Sequence, residues 1–192
     1  MLSVLILLIS IPWFASGQAK PGGGTQVNQN AAIGADFDKR VNDYMKLRHQ
    51  AQAGLSAPKN TTSSGKITEY QRELAAKIRE LRPQAKQGDI FTPEVTELFH
   101  RLISQSLNGP ESTKIRKSYQ RAEPIHGVRL DVDQSYPDRL PLQSMPPSLL
   151  LNLPRLPKEL EYRFVGHELV LRDIASNLIV DLIPEVVTPD RK

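Results

Sequence analysis

Four histidines are the side chains of this sequence best suited to binding a metal or moving protons. They are His49, His100, His126 and His167. No two of them lie one helical turn or two strand positions apart, which is the spacing at which a ligand pair forms easily. The sequence therefore predicts histidines at the surface or in caps, with no bound metal and no cofactor.

Three aspartates, Asp131, Asp133 and Asp138, are spaced like the ligands of a calcium-binding loop. Such a loop needs a glycine at its sharp turn and a glutamate at its twelfth position. This segment has no glycine, and its twelfth position is Leu142. We instead expect Asp131 and Asp133 on the solvent-facing side of a strand, and Asp138 in a turn.

Motifs for nucleophilic catalysis and phosphate binding are missing. The chain has no Gly-x-Ser-x-Gly sequence and no cysteine, and no Lys-Ser/Thr pair follows the glycines at 22–24. Glu159 and Glu161 alternate along a predicted strand, where we expect solvated charges. Catalysis therefore has no support from a sequence motif.

The first seventeen residues have the pattern of a secretory signal peptide. An apolar run from Met1 to Phe14 ends before the small residues at 15–17. The run is shorter than the roughly 20 residues that cross a bilayer. No lysine or arginine precedes it, so the alternative is an uncleaved anchor or a start upstream of Met1. A cleaved signal over 1–17 predicts a periplasmic or secreted protein.

The charge balance of the chain is mildly basic. Its 25 Lys and Arg against 21 Asp and Glu give a formal charge of +4. The most basic stretch contains Lys114, Arg116, Lys117 and Arg121, which are candidates for contact with an anionic surface. No second apolar stretch is long enough to span a membrane, and export makes a nucleic-acid partner unexpected.

The N-terminal half is predicted to be helical. Residues 18–34 are rich in Gly, Gln and Asn and predict a flexible tether. Apolar residues at helical spacing then define a helical region over 35–123. Its second helix is expected over 66–82, and its third is expected to begin at Pro93 after the N-cap Thr92.

The second predicted helix carries an apolar stripe at steps of three or four residues. Its members are Ile67, Tyr70, Leu74, Ile78 and Leu81. The stripe is typical of the core face of a helical hairpin, and a partner-binding face is the alternative interpretation.

The C-terminal region, 124–192, changes to a two-residue periodicity. A half-buried strand is expected over 127–132, followed by a proline-rich strap with one helical turn at 147–151. Three strands are expected over 160–183, with a turn at 166–167 and the most buried strand last. The predicted fold class is α+β: an N-terminal three-helix hairpin or bundle, the strap and a small antiparallel β-meander.

The last strands resemble a known hairpin. They read Tyr-Arg-Phe-Val-Gly-His-Glu-Leu-Val-Leu over 162–171 and Asp-Ile-Ala-Ser-Asn-Leu-Ile-Val-Asp over 173–181. This segment resembles the C-terminal β-hairpin of small bacterial periplasmic proteins, among them the nickel/cobalt homeostasis accessory family. The long Arg-, Gly- and His-rich stretch that precedes the hairpin in that family is missing here. The whole chain also resembles exported bacterial proteins without an assigned role, and both resemblances imply an exported protein.

These observations favour a non-enzymatic envelope protein that binds another protein or a surface. The expected contact is the exposed edges of the meander, because unpaired strand edges recruit partners. One alternative is a periplasmic hydrolase or ligand-binding protein with a site assembled from residues distant in sequence. Another is a protein that binds an anionic surface through the basic stretch, in a salt-sensitive manner.

Overall fold

Helices come first in the chain and a three-stranded sheet comes last. The computed structural model describes residues 24–58, 63–108, 129–137 and 147–186. The elements are α1 (Gly24–Gln52), α2 (Ser64–Leu81), α3 (Pro93–Asn108), α4 (Pro147–Leu150), β1 (Leu160–Val165), β2 (Glu168–Asp173) and β3 (Leu178–Ile183). The α+β prediction, with helices preceding an antiparallel meander, is confirmed. Within the described residues, no helix is long and apolar enough to cross a membrane.

The first helix is longer than predicted. We expected a flexible tether over 18–34, but α1 begins at Gly24, so the prediction is wrong for 24–34. Tertiary contacts account for the difference: Ile33 packs against the core, and Arg101 donates to Asn30 Oδ1 at 3.0 Å. The signal peptide predicted over 1–17 and the rest of the tether lie outside the described residues.

The second and third helices lie where their local signals predict. Helix α3 begins at Pro93, and the Val95 N–H lies 3.4 Å from the Thr92 hydroxyl at its N-terminus. In the stripe of α2, Leu74 and Ile78 are fully buried, whereas Ile67 is 47% exposed. Leu81 at the other end of the stripe is 38% exposed, so the core interpretation holds for the middle of the stripe and not for its two ends.

An aromatic cluster joins the helices to the sheet. Phe37 of α1, Phe91 before α3 and Phe99 of α3 lie with ring centroids 5.2 to 5.9 Å apart. Tyr162 of β1 meets Phe99 edge-on at 5.7 Å. Such offset and edge-to-face contacts are the favoured aromatic geometries. The helical half and the sheet therefore share one core.

The meander has the strand order β1-β2-β3. Gly166, with φ of 57°, occupies the first position of the predicted two-residue turn, where glycine adopts a left-handed conformation without strain. All six residues of β3 are buried, which confirms it as the most buried strand. At the second turn, Ser176 N–H donates to Asp173 Oδ1 at 3.0 Å.

The strand predicted over 127–132 is absent from its described part, residues 129–132. The chain instead turns at Asp133, which has φ of 61° and does not lie on the solvated face of a strand. Two arginines of the α2 C-terminus hold this turn: Arg79 Nε donates to the Asp133 carbonyl at 2.7 Å, and Arg82 Nε lies 3.4 Å from its carboxylate. A long-range contact has therefore overridden the local period-two pattern.

Residues 129–137 cover the outer face of the sheet. Leu130 and Tyr136 form a second small core there with apolar residues of the three strands. The strap instead contributes to the larger core, in which Leu149 and Leu153 are buried together with residues of the helices. The predicted helical turn in the strap is α4.

Candidate functional site

The outer edge of β3 is covered by the chain itself. Ile179 makes two backbone hydrogen bonds with the segment 129–137: its N–H donates to the Gln134 carbonyl at 2.9 Å, and its carbonyl accepts from the Asp133 N–H at 2.8 Å. Tyr136 N–H donates to the Asn177 carbonyl at 2.7 Å. The β3 edge is therefore covered at 178–179, where the sequence predicts an exposed edge. That the edges of the meander recruit a partner stays a prediction.

A groove lies between the strap and β1. It has a volume of about 480 Å³ and is lined by Leu150, Pro154, Arg155, Leu156, Leu160, Glu161, Tyr162 and Arg163. The Tyr162 hydroxyl donates to the Pro154 carbonyl at 3.1 Å, and Leu160 N–H donates to the Pro157 carbonyl at 3.0 Å. These bonds fix the strap beside β1 and so define the two walls of the groove.

Two leucines stand exposed beside the groove. Leu151 is 84% exposed and Leu150 is 44% exposed. Their turn is anchored from both sides, because Leu149 is fully buried and the Asn152 amide donates to the Ser106 hydroxyl of α3 at 2.9 Å. We call Leu151 together with the groove the strap patch. Its apolar side chains are displayed by a fixed backbone.

Glu161 in the groove wall is paired with two arginines. The carboxylate of Glu161 contacts Arg163 with one oxygen, and its other oxygen lies 2.6 Å from Arg172 Nη1. Partial burial opposes ionisation of Glu161, but the hydrogen bonds from the two arginines prevail and lower its pKa below the ordinary value. The prediction that Glu161 is a solvated charge is therefore wrong.

Three charged residues precede β1 in the strap, and one of them, Arg155, lines the groove. Arg155 and Lys158 are exposed, and Glu159 is half-buried. Within the described part of the chain, none of these three side chains makes an ion pair.

Polar residues distant in sequence meet at the base of β2. Arg48 Nε lies 2.6 Å from Asp173 Oδ2, and the Tyr44 hydroxyl donates to the same oxygen at 3.0 Å. Asp173 is 0% exposed and Arg48 only 4%. Burial raises the pKa of the Tyr44 phenol, and the neighbouring Asp173 charge raises it further. The cluster is closed to solvent, so its role is to tie α1 to the sheet.

A second buried carboxylate organises the loop before α3. Asp181 accepts hydrogen bonds from the backbone N–H groups of Gly88, Ile90 and Phe91, at 2.8 to 3.0 Å. Burial raises the pKa of this carboxyl, and those backbone bonds act against the rise. The sequence signal for this role is the position of Asp181 inside an apolar strand, because a buried aspartate requires such partners.

The histidines that could bind a metal or move protons do not come together in the described part of the chain. His49 and His167 are exposed, His100 is half-buried, and His126 lies outside that part. No group of three or more His, Cys, Asp or Glu side chains is placed to hold a metal ion among the described residues. The basic stretch, Lys114, Arg116, Lys117 and Arg121, also lies outside them.

Comparisons with known proteins do not assign this chain to a family. No family model, curated protein or solved structure matches it. An anchored groove of mixed polarity with an exposed leucine beside it is suited to binding another macromolecule.

Proposed function

We propose that this chain is an exported, non-enzymatic protein-binding module of the cell envelope, and that the strap patch is its binding surface. The observation that carries the proposal is the exposure of Leu151, at 84%, on a turn that buried neighbours hold in place. Single exposed leucines are common on protein surfaces. A leucine beside a preformed groove is a stronger indication of a contact site.

The fixed backbone of the strap favours binding. Complete burial of a leucine side chain contributes about 1.5–3 kcal/mol, and Leu150 and Leu151 both have much of their surface left to bury. A flexible segment would lose part of this gain when it became ordered on binding. The hydrogen bond between Asn152 and Ser106 means that folding has already ordered this turn.

The buried polar clusters support binding over hydrolysis. Residues distant in sequence do meet at Tyr44, Arg48 and Asp173, as the hydrolase alternative requires. Their polar atoms bond to one another and are removed from solvent, which leaves no path for a substrate. In the groove, the Glu161 carboxylate is held by two arginines instead of facing an open site.

Export is the second part of the proposal, and residues 1–17 support it by their sequence pattern. The test is the intact mass of the chain expressed in a Gram-negative host, together with its fractionation. Loss of about seventeen residues in a soluble periplasmic pool is the expected result. A full-length product in the membrane or the cytoplasm would contradict it.

Site-specific photo-crosslinking tests the strap patch. A benzophenone amino acid replaces Leu151 in one variant and Ile67 of α2 in a control variant, since Ile67 is also a large apolar residue with 47% exposure. We expect a discrete protein adduct from position 151 alone, which Leu150→Asp abolishes in the same background. Equal adducts from both positions, or none from position 151, would contradict binding at the strap patch.

A further inference from the structure

We propose that the groove of the strap patch binds an extended, acidic segment of another protein, which pairs with β1 as an added strand and places a carboxylate on Arg155. The inference rests on the proposed function, because it states what the same surface binds and in which way. Two observations carry it: the direction of the backbone groups of Tyr162 at the edge of β1, and the charge of Arg155 in the groove.

The hydrogen bonds of the sheet determine which backbone groups of β1 face outward. Leu160 lies opposite Asp173. The residues just beyond this pair are bonded to each other, because Ile174 N–H donates to the Glu159 carbonyl at 2.9 Å. In an antiparallel ladder this arrangement marks a pair without mutual hydrogen bonds, and such pairs alternate along the strand. Leu160 and Tyr162 therefore both direct their backbone N–H and C=O groups away from β2.

The strap uses only the first part of this outward edge. Leu160 N–H donates to the Pro157 carbonyl at 3.0 Å. Two positions further on, the backbone N–H and C=O of Tyr162 have no hydrogen-bond partner among the described residues, and Tyr162 lines the groove. Backbone groups in such a position bond to water or to a ligand. Tyr162 thus offers a donor and an acceptor to an incoming strand, as in other proteins that bind a peptide at a sheet edge.

The walls of the groove suit a short extended segment. Four consecutive residues of β1, 160–163, line one wall, so the groove follows the edge of the strand. Pro154 and Leu156 belong to the other wall. A volume of about 480 Å³ accommodates a few residues of backbone and side chain and is too small for the surface of a folded domain. Mixed polarity fits this ligand, because a strand presents a polar backbone and alternating side chains.

The charge of the groove selects an acidic segment. Its lining includes Arg155, Glu161 and Arg163, and the latter two are paired with each other. Arg155 is exposed and makes no ion pair within the described residues. A carboxylate of the bound segment would pair with this guanidinium, a geometry that favours two parallel hydrogen bonds. The pair also fixes the register, because a slip of one residue turns the carboxylate to the other face of the added strand.

The first test is the binding of a synthetic peptide, acetyl-Thr-Val-Glu-Val-Thr-amide, measured by fluorescence anisotropy with the full chain as the host delivers it. We expect saturable binding that Arg155→Glu weakens at least about tenfold, because the carboxylate then meets a like charge. Lys158→Glu is the matched control: Lys158 is also an exposed cation of the strap but does not line the groove, so the change should be no more than about twofold. Equal weakening by both variants would overturn the pairing with Arg155. Circular dichroism establishes that each variant is folded.

Backbone methylation of the peptide tests the added strand. Successive N–H groups of a strand point to opposite sides, so only alternate ones meet β1. One peptide is N-methylated at its glutamate and another at the valine before it, and we expect one of the two to lose binding and the other to keep it. Loss of binding by neither peptide would overturn pairing through the backbone.

Hydrogen exchange locates the contact on the protein. Saturating peptide should slow exchange of the Tyr162 amide at least about tenfold, because its N–H gains an acceptor. The amide of Val170, in the central strand β2, should exchange as it does without peptide. Unchanged exchange at Tyr162 would overturn the edge of β1 as the site.

The crosslinking experiment separates this inference from the proposed function. Backbone bonds do not depend on side-chain identity, so absence of binding at millimolar peptide overturns the added strand. If position 151 still forms a crosslink with another protein, protein binding by the strap patch stands and only the extended segment is excluded. If position 151 forms no crosslink and the peptide does not bind, both proposals fail.

Discussion

Asp181 shows how much a single carboxylate organises in this protein. It lies within the buried strand β3, yet its oxygens receive backbone N–H groups from the loop that leads into α3. Residues 88–91 of that loop form no regular element, so their N–H groups need another acceptor. One side chain thereby connects β3 to the start of α3.

We predict that Asp181→Ala lowers the free energy of unfolding by about 3 kcal/mol or more, because buried backbone N–H groups lose their acceptor. Urea denaturation measures the change. Asp43→Ala is the matched control: Asp43 pairs with Lys46 at the surface of α1 and should have no measurable effect. Equal stability of the Asp181 and Asp43 variants would contradict the role given to Asp181.

The ion pairs of Glu161 make the stability of the fold depend on pH. Its folded-state pKa is lowered by Arg163 and Arg172, so the native protein binds fewer protons here than the unfolded chain. The stability it contributes is present above its ordinary pKa of about 4.5 and is lost as the pH falls through the lower folded value. We therefore expect Glu161→Gln to be less stable than wild type at pH 7, with a difference that shrinks in acid. A difference independent of pH would contradict this ion-pair effect.

At the scale of elements, residues 24–34 belong to helix α1, where the composition predicts a flexible tether. Ala31 is exposed within α1. Proline there removes a helical hydrogen bond and clashes with the preceding turn, so we expect Ala31→Pro to destabilise the fold by about 1–3 kcal/mol. Ala31→Ser is the control and should cost a few tenths. If thermal unfolding of the two variants coincides, residues 24–34 behave as the tether predicted from composition.

The covered edge of β3 is a second property at this scale. Arg79 supports residues 129–137 through the Asp133 carbonyl, and that segment receives the N–H of Ile179. We predict that Arg79→Ala speeds hydrogen exchange of the Ile179 amide while amides of the central strand β2 exchange as in wild type. Arg101→Ala, on α3, is the control. Unchanged exchange at Ile179 would show that the segment holds the edge without Arg79.

At the scale of the whole molecule, the helical half and the sheet form one unit. Their shared core contains residues of every helix and strand. The ion pair between Arg48 and Asp173, 125 positions apart, adds a buried polar link between α1 and β2. We therefore expect helix and sheet to unfold together.

Arg48→Met tests this link. The substitution leaves the Asp173 carboxylate buried without its counter-charge, and we expect a loss of about 3–5 kcal/mol. The double variant R48M/D173N keeps a neutral acceptor oxygen for the Ser176 N–H, and its amide NH2 is able to donate to the Tyr44 hydroxyl oxygen. We expect it to be more stable than R48M alone. Chemical denaturation followed by circular dichroism and by tyrosine fluorescence measures both. Separate transitions for the two probes would show two independent units.

At the strap patch, features set by residues close in sequence can be predicted, and contacts between residues distant in sequence cannot. The helical turn in the strap and its leucines follow from the prolines and leucines near 147–151, so the ingredients of the strap patch are visible in the sequence. Their arrangement as a groove depends on the bond from Tyr162 to the Pro154 carbonyl and on the anchoring of Asn152 to α3. No local pattern contains those contacts. For the same reason Glu161 was predicted to be solvated: its partner Arg172 lies on the next strand.

The sequence by itself determined α2, α3 and the meander with its two turns. Periodicity, an N-cap threonine and a turn glycine act over a few residues, and their energies favour the same local structure in any context. The tertiary structure decided the extension of α1 to Gly24, the turn at Asp133, the covered β3 edge and the pairing of Arg48 with Asp173. Each of these depends on which elements come into contact, and that is settled by burial and by the hydrogen-bonding needs of polar groups across the whole core.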